Sequence, residues 1–358
     1  MVSPYLSRLA RGIEPYVPGE QPATDRLIKL NTNENPYPPS PRVEEALRGR
    51  LARLRLYPEI DARTLRECIA RREGLSPEEV FAGNGSDEVL SFCFPAFFDP
   101  EEPVRFPAVT YSFYRVYAKL FGIPYEEVPM LPGFAVDERE LVAGKGGAIL
   151  PNPNAPTSLE LPLGAIERMA RAQRDKGRVL VVDEAYVAFG DQPSAATLVH
   201  EYDNLLVTRT LSKDHALAGL RVGYALGQRG LIEGLLRIKD SFNSYPVDSL
   251  AIAAATAALE DEDYFRMRRD QVVETREFFR DGLLARGFEV LPSRSNFVFA
   301  RPVFCSGRDL FAALRARGVL VRRWDAPTIE DYLRISIGTR EEMEKVLGII
   351  DEIRASSV

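Results

Sequence analysis

The stretch Thr208–Gly223 reads TRTLSKDHALAGLRVG and sets Lys213 just beyond an apolar run. A lysine at a strand end, beside hydroxyls and close to a buried site, acquires a lowered pKa and attacks carbonyl carbons. Further on, Arg221 offers a planar cationic fork suited to phosphate. A second apolar run, Val179–Tyr186 (VLVVDEAY), ends in Asp183 and Tyr186. Open α/β sheets bind ligands beyond the carboxyl ends of their strands, where these two residues would stand. The third stretch, Gly83–Glu88 (GNGSDE), opens an amphipathic segment. Backbone N–H groups at Gly85, Ser86 and Asp87 would form an anion site at a helix start. Each stretch alone has a plainer structural explanation: a lysine on a turn, an arginine in an ion pair, or carboxylates and hydroxyls capping helices. Together they describe one ligand. Its aldehyde would meet Lys213, its phosphate Gly85, Ser86 and Arg221, and its protonated ring nitrogen Asp183. Pyridoxal phosphate carries all three groups.

The elements that must position these residues follow from apolar patterning. Short apolar runs at Gly147–Leu150, Val179–Val182, Leu205–Thr208 and Val222–Leu226 alternate with helical patterns at Gly85–Phe98, Tyr111–Phe121 and Leu163–Lys176. That alternation predicts βαβ units and a mostly parallel, buried sheet. Downstream, a long charged helix near Glu262–Arg286 precedes short strands and two further helices, which predicts a compact α+β domain. The break lies at SFNSYPVD, around Asn243–Asp248. The expected organisation is an N-terminal arm over 1–40, a large domain over 41–245 and a small C-terminal domain over 246–358.

Composition limits the function classes. The 358 residues are 45% hydrophobic and 27% charged, which excludes a disordered or collagen-like chain. A formal charge of −6 disfavours nucleic-acid binding. Three dispersed cysteines point to reduced thiols, and two histidines are too few for a His-based metal site. No apolar run is long enough to span a membrane, so a soluble cytoplasmic protein is expected.

From KLNTNENPYPPSP to YLRISIGTREE the chain resembles the fold-type I pyridoxal-phosphate aminotransferases. Within them it is most similar to the histidinol-phosphate aminotransferases. LNTNENP, TLSKDHALAGLRVGY and LRISIGT carry the resemblance. It implies an α/β fold with a large, mostly parallel αβα sheet domain and a smaller C-terminal α+β domain. It implies ping-pong transfer of an amino group from L-histidinol phosphate to 2-oxoglutarate. The rivals are an aromatic or broad-specificity aminotransferase, a threonine-phosphate decarboxylase, and a non-catalytic cofactor-binding regulator. The last normally needs a DNA-binding domain, for which no helix-turn-helix pattern is present.

Residue by residue, the resemblance implies that Lys213 holds the internal aldimine and later shuttles a proton. Asp183 pairs with the ring nitrogen, Tyr186 with the ring hydroxyl, and Tyr111 stacks on the ring. Ser86, the Asp87 backbone, Ser212 and Arg221 hold the phosphate, with Gly85 allowing close approach and Thr210 beside them. Tyr57, in RLYPEIDA, reaches a partner subunit's phosphate, which implies a homodimer with shared sites. Arg334 and Arg322 take the substrate anion, while Tyr16, Asn33 and Asn296 lie around the substrate. Two departures stand out. Ala155 occupies the place of the asparagine that contacts the ring hydroxyl, leaving Asn154 one position away to reach it. Ser158 replaces a turn glycine, which is tolerable if φ there is not positive. After Lys213 the chain reads Asp214-His215 where an aromatic or small residue is more usual, and for His215 a capping or solvent role is expected rather than a cofactor contact.

Overall fold

The computed structural model describes residues 3, 5–14, 19–21 and 27–356. Among them, seven strands form a mixed, mostly parallel sheet. From edge to edge they run Val80–Asn84, Val222–Leu226, Leu205–Thr210, Leu180–Asp183, Ala148–Pro151, Val104–Pro107 and Tyr125–Val128. The strand Val222–Leu226 is antiparallel to both its neighbours; the other pairings are parallel.

Strand periodicity explains why this sheet is buried on both faces. Successive side chains point to opposite sides. Val80, Ala82, Ala148, Leu150, Leu180, Val182, Leu205 and Val207 enter one core with the helices Arg63–Glu73 and Leu163–Arg174. The intervening Phe81, Ile149, Val181 and Leu206 enter the core on the other face, with Gly85–Phe97, Phe113–Phe121 and Arg229–Phe242. Both faces being covered, the strands need no polar side, and they read as continuous apolar runs.

The C-terminal part has its own antiparallel sheet, ordered Leu333–Ser336, Phe297–Pro302, Phe288–Val290. The helices Glu262–Leu284, Gly307–Ala316 and Arg340–Ser356 cover it and share its core. The helix Ser249–Leu259, however, buries Ala251, Ala254, Ala255 and Ala258 in the core of the large sheet. The polar break at Asn243–Asp248 therefore does not coincide with the change of core, which falls after Leu259. Small alanine side chains let this helix pack closely on Pro41–Leu47 and Arg63–Glu73.

The N-terminal segment joins the two parts. Ile28–Lys29 pairs in parallel with Val319–Leu320, and the Leu30 carbonyl accepts from the Ser336 N–H. The segment then runs on across the edge of the large sheet, so the arm carries residues to the same place as the strand ends. No helix among the described residues is long and apolar enough to cross a membrane.

Candidate active site

The carboxyl ends of the parallel strands open into one cleft, walled by Pro151, Asp183 and Thr210. The antiparallel strand Val222–Leu226 begins at that same edge. Arg221, which precedes it, therefore arrives where the parallel strands end. Ser86 and Asp87 reach the cleft as the first turn of the helix Gly85–Phe97, directly after an edge strand.

This corner is built for close approach of an anion. Gly85 has φ +81°, and a Cβ there would lie 2.6 Å from Arg221 Nη2. A Cβ on Gly223 would lie 2.2 Å from the Ser86 nitrogen. Arg221 itself takes φ +53°, a left-handed conformation that costs a non-glycine residue on the order of 1–3 kcal/mol. The conformation turns its guanidinium back onto the helix start, where Nη2 donates to Asp87 Oδ2 at 3.0 Å. Tyr111 also lines the cleft, and its hydroxyl donates to the other Asp87 oxygen at 2.6 Å. Thr210 and Ser212 stand alongside, their hydroxyls 3.0 Å apart.

Asp183 lies at the cleft base, buried, and among the described residues no cation pairs with it. Burial pushes its carboxyl up to about 7, against hydrogen bonds that favour the charged form. Those bonds come from the Tyr114 hydroxyl at 3.1 Å and the Ala185 N–H at 3.2 Å. A buried carboxylate left in this state is set up to receive a cationic N–H donor.

Lys213 projects into the cleft, and its Nζ donates to the Thr32 carbonyl at 3.0 Å. Burial, with the nearby positive charge of Arg334 adding to it, brings the amine down to about 8. Tyr186 closes one wall. Its hydroxyl accepts from Asn33 Nδ2 at 2.9 Å, and burial raises its pKa. Arg322 and Arg334 form an antiparallel bridge opposite the large-sheet strand ends, and both line the cleft. Arg334 Nη2 donates to the Asn31 carbonyl at 3.0 Å, which ties it to the arm.

Twelve of the residues singled out above line this cleft: Ser86, Asp87, Tyr111, Asp183, Tyr186, Thr210, Ser212, Lys213, Arg221, Asn33, Arg322 and Arg334. Gly85 adjoins it through its contact with Arg221. Others do not line it. Asn154 is turned away: its Nδ2 donates to the Val109 carbonyl at 3.0 Å and the Thr157 hydroxyl at 2.8 Å. Both donor hydrogens are thereby engaged, one with the 109–110 loop and one with Thr157, the Oδ1 accepts from the Thr110 hydroxyl at 3.3 Å, and Ala155 faces the cleft instead. Asn296 is fully buried and acts one residue back, donating to the Asn33 carbonyl at 3.0 Å. Ser158 does take a positive φ of +64°, contrary to the condition for replacing the turn glycine. Its hydroxyl offsets the strain by pairing with Ser293 Oγ at 2.8 Å and accepting from the Arg294 N–H at 3.0 Å. His215 neither caps a helix nor faces solvent. It is buried, stacks on Phe265 with centroids 4.7 Å apart, and bonds Asp214. Tyr57 is 83% exposed, stacks on Tyr245, and lines a separate groove that shares no residue with the cleft. Tyr16 lies outside the described residues.

Three contributors escaped the motif reading. Tyr114, three residues after Tyr111, packs edge-on against it with ring centroids 5.7 Å apart and reaches Asp183, a spacing visible in YSFY. Thr32 holds Lys213 through a backbone carbonyl, which no side-chain pattern signals. Trp324 touches the two arginines only because the strands are paired.

A mostly parallel sheet with a lysine amine, a buried acid and an anion cradle meeting beyond its strand ends defines the fold-type I transferase class. The chain belongs to the aminotransferase class I and II family, whose model matches residues 25–350. It is similar to histidinol-phosphate aminotransferase 1 of Methylococcus capsulatus, 50% identical over 99% of both chains. It is likewise similar to histidinol-phosphate aminotransferase 1 of Bradyrhizobium diazoefficiens, 52% identical over 98% of this chain and all of that one. Among solved structures, histidinol-phosphate aminotransferase of Sinorhizobium meliloti in complex with pyridoxal-5'-phosphate superposes with a TM-score of 0.89. It covers 100% of this chain and 99% of that one at 24% identity, a likeness of fold.

Proposed function

We propose that the chain is a pyridoxal-phosphate-dependent aminotransferase that moves an amino group from L-histidinol phosphate to 2-oxoglutarate, in histidine biosynthesis. One observation carries the substrate reading: two arginines, Arg322 and Arg334, brought together by a backbone β-bridge, line the same cleft as Lys213. The names of the relatives near 50% identity support it.

The residues fit the cofactor. The cationless carboxylate of Asp183 suits a protonated ring nitrogen, and the Gly85–Arg221 corner has no room for a Cβ but has donors for a phosphate. When bound, pyridoxal phosphate supplies an aldehyde that condenses with amines and a ring that accepts the electrons of a breaking α-carbon bond. Around it, the Ser86 and Asp87 backbone, Thr210, Ser212 and Arg221 would hold the phosphate. Asp183 would keep a proton on the ring nitrogen. Tyr186 would hydrogen-bond the ring hydroxyl, and Tyr111 would cover a ring face. Lys213 Nζ, brought down to about 8 by its surroundings, would be the amine that anchors the aldehyde and the base that takes the substrate α-carbon proton. Asn154 has no part in this set. Arg334 binds the anion of either substrate, and Arg322 adds the second fork that a phosphate dianion uses. Asn33, held by Asn296 and Ser336, orients Tyr186 against the substrate.

The test is a competition. Arg322→Ala should raise KM for histidinol phosphate about ten- to a hundred-fold, the worth of a charge-assisted contact, and leave glutamate nearly unchanged. Arg334→Ala should damage both donors. A wild-type enzyme that prefers phenylalanine or tyrosine over histidinol phosphate at equal concentration defeats the substrate reading and leaves the cofactor residues standing.

The protein acts as a homodimer with shared sites. Exposed Tyr57 stands among other exposed apolar side chains, Leu51, Leu54, Leu56 and Ile60, with Tyr245 stacked beside it. Such a patch is an interface feature, and a second copy of the chain is its occupant. Mixing Lys213→Ala with Tyr57→Phe subunits checks it. A heterodimer then holds one site with both defects and one with neither, so activity should exceed that of either parent. No gain on mixing, or a monomer at micromolar concentration, goes against the shared site. Free Cys68, Cys93 and Cys305 support a reducing, cytoplasmic setting.

A further inference from the structure

The two arginines present a physical problem. They are cross-strand partners, with Arg322 N–H donating to the Arg334 carbonyl at 3.0 Å and the reverse bond at 2.9 Å. That backbone pairing sends both side chains to the same cleft, where two like charges repel one another until an anion arrives. The chain's one tryptophan, Trp324, sits two residues beyond Arg322. The Arg322 guanidinium carbon lies 5.4 Å from its ring centroid and that of Arg334 lies 5.3 Å away. Both distances fall within cation–π range, and the electron-rich ring face offsets the repulsion between the two charges. Arg334 is also 5.4 Å from the Phe297 ring. Trp324 does not line the cleft. It packs against a small apolar cluster centred on Val109, Phe299 and Ile329, with Phe134 and Tyr332 beside it. That cluster joins the loop before Tyr111 to the C-terminal strands, so the ring is held from both sides of the cleft.

We propose that Trp324 is a specificity-determining positioning residue: its ring presets Arg322 and Arg334 as a paired fork for a doubly charged phosphate. The assignment rests on the two arginines serving as the anion site of the proposed function. A rigid pair of forks loses little entropy on binding a dianion, whereas a carboxylate engages only one of them and gains less from the preset geometry.

The experiment uses the holoenzyme. Trp324→Ala should raise KM for histidinol phosphate about tenfold, the scale of a partly desolvated cation–π contact. KM for glutamate should change less than about threefold and kcat should stay within the same range for both. Trp324→Phe, which retains a ring, should recover most of the loss. Should the alanine variant not fold, Trp324→Leu fills the space without a π face and is expected to behave as alanine does. A second measurement needs no amino donor. Because Trp324 is the sole tryptophan, titrating wild-type holoenzyme with inorganic phosphate should change its emission over the concentrations at which phosphate competes with substrate. Emission that stays constant while phosphate inhibits overturns the proposal, as does an equal KM change for both donors or none for either. If phosphate moves the emission but histidinol phosphate is not turned over, the substrate reading fails and the role of Trp324 stands.

Discussion

Lys213→Ala is expected to lower turnover on the order of 10⁴-fold or more, because one side chain supplies both the covalent anchor and the mobile proton. The purified variant should still take up pyridoxal phosphate through the Gly85–Arg221 corner, but lose it on dialysis. Adding methylamine should restore a trace of turnover by replacing the missing amine. The pH dependence follows from the amine sitting at about 8 rather than in the ordinary lysine range. Below that pH the amine is protonated and cannot attack an aldehyde; above it the free amine dominates. Cofactor capture by the apoenzyme should therefore speed up as pH rises and level off above about 8. Rapid-mixing absorbance measurements across pH 6–10 follow this, and a rate that instead rises tenfold per pH unit up to about 10, the range of an ordinary lysine, removes the claim that its surroundings tune Lys213.

Asp183→Asn should slow the chemical step about 10²–10³-fold with little change in cofactor content, since the side chain keeps its shape and loses only its charge. The reason lies in the burial of this carboxylate. Held at about 7 with no cation against it among the described residues, it gains a full charge pairing when a protonated ring nitrogen arrives. An amide there cannot hold that proton. Single-turnover rates separate the two roles. An effect confined to KM, with the chemical rate intact, would make Asp183 a binding residue only.

Much of the site is legible as local pattern. Asp183, Lys213 and the Gly85–Asp87 turn each stand at the end of an apolar run, and strand ends of an α/β sheet meet at one edge. Their place in the cleft needs only that the runs become neighbouring strands. Arg221 required more. Read as one more strand start, it would lie at the wrong edge; the antiparallel direction of Val222–Leu226 brings it across. Asn154 and Ser158 resisted reading for another reason. Whether Asn154 faces the cleft depends on Val109 and Thr157, and whether Ser158 tolerates a positive φ depends on Ser293, which is 135 residues away. Thr157 lies within the motif, but the motif holds no information about Val109 or Ser293.

The residue types that do the chemistry, and the alternation that buries the large sheet on both faces, were thus written in the order of the amino acids. Side-chain periodicity along a strand or helix repeats every two to four residues, so neighbours along the chain suffice to specify it. The meeting of Lys213 with Thr32, of Tyr186 with Asn33, and of Arg322 with Arg334 and Trp324 was decided only when the arm and the C-terminal strands packed against the large sheet. Burial and charge, which bring Lys213 down and lift Asp183, exist only in that packed state. They arise from atoms distant in sequence that exclude water together.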